Sequence, residues 1–203
     1  MTKRFSQACE NNQEPILLHL REFFAEATSV LEIGSGTGQH SVYFAARLPH
    51  VMWQTSDLIE NHASISAWGE DAALTNWLPP KQFKVGASDW PVSDNIADAI
   101  FTANTAHIMQ PEEAKLMMQL ITEKLPAGGV FCQYGPFRFD GEYTSQSNAE
   151  FDARLKSQGF GGYRDINELK QWCVSLADPS VRLTLSELID MPANNHLLVW
   201  RKA

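Results

Sequence analysis

The run Val30-Leu31-Glu32-Ile33-Gly34-Ser35-Gly36-Thr37-Gly38 constrains this chain more than any other. A short apolar strand runs into glycines at every second position, and a helical pattern follows from Gln39. Glycine lets the main chain turn sharply and approach a ligand with no Cβ in the way. The helix N-terminus behind such a turn offers unpaired N–H groups and a partial positive charge. In open parallel sheets, ligands sit at the carboxyl ends of the strands, at the switch point in strand order. The spacing narrows the ligand. A dinucleotide fingerprint reads G-x-G-x-x-G, and here the third glycine comes one residue early. No G-x-x-x-x-G-K-[ST] sequence is present, which excludes a P-loop. Glu32 precedes the first glycine by two positions, where it repels a pyrophosphate and suits a ligand carrying a cationic amine.

The remainder alternates between the two periodicities. Pro15 is expected to open a helix with Ile16, Leu17, Leu20, Phe23 and Phe24 on its apolar side. Helices are predicted over 39–48 and 59–68, and from Pro111, with Gly128-Gly129 closing the last. Strands are predicted over 30–33, 51–56, 82–87, 97–103 and 130–134, with Pro79-Pro80 in a loop. Near-continuous apolar strands alternating with helices mean a parallel sheet covered on both faces. The end differs. Runs 183–191 and 196–201 are separated only by Pro192-Ala193-Asn194-Asn195, which leaves no room for a helix, so they pair antiparallel. The expected fold is α/β: a doubly wound, mostly parallel seven-stranded sheet with a C-terminal antiparallel hairpin.

At 203 residues the chain is expected to form one domain. Residues 135–165 shift toward aromatic, Gly and polar residues, and read as an insertion on the substrate side. A formal net charge of −8 disfavours binding to nucleic-acid backbones. No apolar run approaches the roughly 18 residues that span a bilayer, and the basic start has no apolar stretch behind it, so neither membrane nor secretion is expected. Cys9, Cys132 and Cys173 are far apart and form no metal-ligand spacing, so no metal is expected. A reducing cytoplasm is the simplest compartment for them.

Asp57 falls at the predicted end of the second strand, where a carboxylate accepts from ribose hydroxyls in related nucleotide folds. Asp89 and Trp90 fall at the predicted end of the third, and Asn104-Thr105-Ala106-His107 after the fourth. His107, with an unperturbed pKa near 6.5, is the best-placed general base. Met117-Met118 read as core.

An acidic residue followed by G-x-G-x-G, together with the terminal hairpin, resembles the class I S-adenosylmethionine-dependent methyltransferases. A narrower resemblance is to a functionally uncharacterised, methyltransferase-like domain-of-unknown-function family. It is carried by Asn12-Gln13-Glu14-Pro15-Ile16-Leu17, Glu32 to His40, Tyr134-Gly135-Pro136-Phe137, Gln146-Ser147-Asn148 with Phe151-Asp152, Arg164-Asp165, and Asp190-Met191-Pro192-Ala193-Asn194-Asn195. That branch usually carries Arg before the first of these asparagines, where this chain has Asn11. The resemblance implies S-adenosylmethionine as cofactor and S-adenosylhomocysteine as product. It assigns the cofactor to Glu32, Gly34, Ser35, Gly36, Gly38, Asp57, Leu58, Asp89, Trp90, Asn104 and Asn12. The Asn-Pro-Pro-Tyr-like motif of amino-group methylation on nucleic-acid bases is absent, so the expected acceptor is a small molecule.

The stretch around the predicted insertion supplies Tyr134, Arg138, Asn148 and Asp152 as candidate substrate contacts. Arg138 has the fork geometry to take an anionic group. Tyr143 and Asp140, with His107, are the candidates for positioning a nucleophile. Two other readings stay open: a non-catalytic cofactor-binding or interaction module of the same fold, and a nicotinamide-dependent oxidoreductase, which the glycine spacing and the hairpin oppose.

Overall fold

The structure, a computed structural model, describes residues 3–93 and 97–203. Met1 and Thr2, part of the basic start, lie outside the described residues. A seven-stranded sheet has the order β3-β2-β1-β4-β5-β9-β8, with a separate two-stranded sheet β6-β7. The strands are β1 Ser29–Ile33, β2 Met52–Asp57, β3 Trp77–Gln82, β4 Ala99–Ala103, β5 Val130–Gly135, β6 Arg138–Phe139, β7 Glu142–Tyr143, β8 Leu183–Met191 and β9 Asn195–Lys202. The helices are α1 Gln7–Phe23, α2 Gln39–Arg47, α3 Ile59–Ala72, α4 Pro111–Lys124, α5 Gln146–Ser157 and α6 Ile166–Trp172. The chain divides into two compact units, Met1–Thr102 and Ala103–Ala203.

In the first unit β1 pairs parallel with both β2 and β4, and β2 pairs parallel with β3. Its core is aromatic. Phe24, Phe44, Trp53 and Phe101 are fully buried. Phe44 packs its ring 5.5 Å from Trp53 and 5.3 Å, nearly edge-on, from Phe101. Tilted and edge-to-face contacts of this kind add to the area the rings remove from water. In the second unit β9 pairs antiparallel with both β5 and β8. Trp200 and Phe131 are buried opposite each other across that ladder. Met117, Met118 and Ile121 of α4 are fully buried, as the helical spacing requires.

Three local expectations are corrected. The first helix starts at Gln7, capped by Ser6, whose Oγ accepts from the Cys9 N–H at 3.4 Å, and Pro15 sits inside it. Its missing N–H leaves the Asn11 carbonyl without the usual partner four residues on. The third strand covers Trp77–Gln82 and contains Pro79-Pro80, while a turn occupies 85–87. Prolines are tolerated there because β3 is an edge strand and has only β2 to pair with. The pairing carries an irregularity between Gln54 and Ser56. The Gln54 amide donates to the Pro79 carbonyl at 2.7 Å, and the Thr55 hydroxyl to that of Leu78 at 2.9 Å, so side chains bridge the gap in the ladder. Helix α4 ends at Lys124, ahead of Pro126, so Gly128-Gly129 do not close it. The hairpin connection holds a single 3₁₀ turn, Pro192–Asn194, with Ala193 and Asn194 at positive φ.

Candidate functional site

The glycine turn leaves β1 with Gly34, Gly36 and Gly38 at φ of 76°, 60° and 96°. These are conformations that side-chain-bearing residues rarely adopt. The turn is fastened to β2: the N–H groups of Gly34 and Ser35 both donate to the Ser56 carbonyl, at 3.0 and 3.1 Å. The Thr102 hydroxyl of β4 holds the Ile33 carbonyl at 2.7 Å. The two later glycines serve different purposes. A Cβ on Gly38 would lie 2.8 Å from the Ile65 Cα, so the residue lets α3 approach α2. A Cβ on Gly36 would meet nothing within 4 Å, so this position borders open space.

Glu32 is 2% exposed, and its Oε2 accepts from the Trp53 indole N–H at 3.1 Å. Burial raises its carboxyl to about 7, opposed by hydrogen bonds from Trp53 and Ser35 and reinforced by the Asp57 charge. A buried carboxylate with so few donors is poised to accept a cation.

Asp57 stands at the end of β2 and is already engaged. Its Oδ2 accepts from the Gly36 N–H at 2.6 Å, and its Oδ1 from the Leu58 N–H and the Asn61 amide, each at 2.6 Å. A carboxylate offers about four lone-pair sites. One remains for a further donor, and the Asn61 side chain can yield another. Arg4 lies on the outside of the same turn, donating to the Gly36 carbonyl at 3.0 Å and to Asn61 at 2.6 Å. Asn12 is buried, with its Oδ1 2.7 Å from His40 Nε2. The His40 ring stacks on Phe44, and burial lowers its pKa to about 4. Asn12 thus ties α1 to the start of α2.

Asp89 and Trp90 do not end the third strand. They lie in the segment after β3, where Trp90 packs edge-on against Phe83 at 5.4 Å. With Lys81, Gln82, Gly86 and Ser88 they line a depression of about 730 Å³. Asp89 is exposed at its rim.

The second unit gathers several of the remaining candidates. Asn104, just past β4, has a φ of 57° and donates its N–H to the Tyr134 carbonyl at 2.9 Å. His107 is buried, its ring 6.0 Å from Tyr163 and 6.2 Å from Phe151. Burial lowers its pKa to about 4, so it is a neutral imidazole at physiological pH. The Tyr143 hydroxyl donates to Asp152 Oδ2 at 2.5 Å, Lys156 Nζ stands 2.6 Å from the same oxygen, and the Tyr163 N–H donates to Oδ1 at 2.6 Å. Burial works to raise the Asp152 carboxyl, but these donors together hold it below the usual carboxylate range.

Others turn elsewhere. Asp140 accepts from the Asn167 amide at 2.7 Å. Asn148 donates to Thr144 and to the Asn194 carbonyl, tying α5 to the hairpin turn. Tyr134 is a buried residue of β5 itself. Sequence reasoning missed Trp53 and Tyr163. Trp53 did not stand out, because β2 is buried at every position from Trp53 to Asp57. Tyr163 carried no signal beyond its glycine-rich surroundings. Among the described residues, no group of three or more His, Cys, Asp or Glu side chains is arranged to hold a metal ion, and no helix is long and apolar enough to cross a membrane.

This strand order, with its reversed last strand, gives the chain the Rossmann-like fold of the methyltransferases. Human N-acetylserotonin methyltransferase, solved in complex with S-adenosylmethionine, matches with a TM-score of 0.78 at 12% identity, over 97% of this chain and 53% of that one. An O-methyltransferase family 2 protein from Planctomyces limnophilus, in complex with apigenin, matches at 0.73 and 17%, over 95% and 62%. An O-methyltransferase family protein from Burkholderia thailandensis matches at 0.75 and 16%, over 97% and 57%. The chain therefore spans between 53% and 62% of the length of these structures. It belongs to the family described as a protein of unknown function, DUF938, whose match covers residues 3–202.

Proposed function

We propose that this protein is an S-adenosylmethionine-dependent methyltransferase acting on a small molecule in the cytoplasm. The observation that carries the reading is the glycine turn: the open side of Gly36 adjoins Asp57, which holds the Gly36 N–H, and the buried Glu32 carboxylate two residues before the first glycine. The match to a methyltransferase solved with S-adenosylmethionine supports it. These residues fit that cofactor. Glu32 suits its ammonium group and Asp57 its ribose hydroxyls, with Gly34, Ser35, Gly38 and Leu58 shaping the main chain around it. Asp89 and Trp90 are assigned to the adenine end, Asn12 to bracing the turn through His40, and Asn104 to the methyl-bearing side.

The bound cofactor supplies a methyl group activated on a sulfonium. The protein's part is to align the acceptor and exclude water. His107, neutral by burial, is assigned as the acceptor of a proton if the methylated group is a hydroxyl or thiol, with Tyr143 positioning it. Calorimetric titration with S-adenosylmethionine and S-adenosylhomocysteine tests the binding half, and a metabolite panel read out as S-adenosylhomocysteine release tests the transfer half. A second reading, a binding module without transfer, draws on one observation: Tyr143 and Asp152 are already bonded to each other. Cofactor binding with no turnover across the panel supports that reading, and one methylated product removes it.

A further inference from the structure

The second unit holds a buried guanidinium nitrogen with nothing to bond to. Arg138, first residue of β6, has its Nε shielded from solvent and without a hydrogen-bond partner. Its nearest carboxylate, Glu168, lies 3.8 Å from Nη2, beyond hydrogen-bond reach, and accepts instead from the Asp165 N–H at 3.0 Å. The Asp165 carboxylate is turned to the N–H groups of Gly141 and Asn167. Asp152 is occupied by Tyr143, Tyr163 and Lys156. Among the described residues, Arg138 thus has the long ion pair with Glu168 but no carboxylate hydrogen-bonded to its guanidinium. The segment just before α6 adds a second cation: the Arg138 N–H donates to the Arg164 carbonyl at 2.9 Å. Arg164 is 4% exposed, and its Nε and Nη2 donate to the carbonyls of Gly161 and Gly162. Burial lowers its pKa, the Glu168 charge opposes that, and the Arg138 and Asp152 charges act more weakly, in opposite directions.

A buried donor left unpaired is destabilising, because it has lost water and gained no partner. A purely structural arginine spends its donors as Arg164 does. Arg138 leaves its Nε unspent and meets Glu168 only at 3.8 Å through Nη2, and its side chain is 26% exposed, so part of it reaches solvent. A planar guanidinium with a free edge fits an oxyanion in two-point contact.

We propose that Arg138, backed by Arg164, receives an anionic group, a carboxylate or a phosphate, on the small molecule that this protein acts on. Calling that molecule the methyl acceptor rests on the methyltransferase reading; the anion site itself stands on the second unit alone. The test is a titration of the full chain, followed through the arginine Nε–Hε resonances. Inorganic phosphate and acetate are added separately at constant ionic strength, with sodium chloride as control. The expected result is a saturable shift of the Arg138 signal with one or both anions and none with chloride, weakened at least tenfold in Arg138→Gln. The anion with the tighter saturation identifies the group. Absence of a saturable shift with either anion overturns the proposal, as does undiminished binding in Arg138→Gln. Should that variant not fold, the wild-type resonance decides alone. S-adenosylmethionine calorimetry on the wild type separates the two claims: anion binding without cofactor binding retires the methyltransferase reading and keeps the site.

Discussion

Burial raises the Glu32 carboxyl from an ordinary value of 4.5 to about 7. Its folded-state pKa thus lies above its unfolded one. Between those values the folded chain keeps a proton that the unfolded chain has released, so stability falls as pH rises through the window. Above pH 7 the penalty is complete, on the order of 3 kcal/mol. Glu32→Gln should therefore raise the melting temperature at pH 8 while weakening S-adenosylmethionine binding at least tenfold. In the wild type, affinity for that cation should increase as pH climbs through about 7. A variant that melts lower and binds equally well contradicts both halves. His40 and His107 carry the opposite sign. Burial lowers each from 6.5 to about 4, so the unfolded chain binds more protons between those values, and their contribution is lost as pH drops through that range. Their imidazole resonances should stay flat from pH 8 to 5 in a proton NMR titration.

At the scale of the element, the glycine turn separates folding from binding. Gly38→Ala forces a Cβ against the backbone of Ile65 at 2.8 Å, and the residue already sits at φ 96°. Neither the helix backbone nor the turn can yield cheaply, so we expect a loss of roughly 2–4 kcal/mol in chemical denaturation. Gly36→Ala meets no neighbour and should cost only about 1–2 kcal/mol, the left-handed penalty. It places a methyl group in the space assigned to the cofactor, and should abolish S-adenosylmethionine binding in a chain that still melts cooperatively. Equal cofactor affinity in Gly36→Ala and wild type would mean that the ligand does not lie against this turn. The same scale shows where sequence reading stops. β1, α2 and the terminal hairpin were legible because periodicity and glycine spacing act locally. β3 was not, because Pro79-Pro80 look like loop residues until the strand is known to be an edge. Asp89 and Trp90 were displaced with it. The start of α1 was hidden by Pro15, which marks a helix beginning more often than an interior position.

For the whole molecule, fold class was readable from alternation and from the reversed last strand, since these are properties of order along the chain. The contents of the site were readable only in part. The sequence offers Tyr143, Asp152, Asp140 and Asn148 as equals. Hydrogen bonding joins the first two and sends the others to Asn167 and Asn194. Which polar side chains converge depends on how β6, β7 and α5 fold over one another, a matter of long-range packing. Solved neighbours at 12–17% identity share the fold, and fold alone does not assign chemistry. The most direct measurement is isothermal calorimetry of the purified, folded chain with S-adenosylmethionine and S-adenosylhomocysteine at pH 8. Saturable one-to-one binding of both, abolished by Gly36→Ala, is what this account predicts. A folded protein that shows no heat of binding with either compound at millimolar concentration would contradict it.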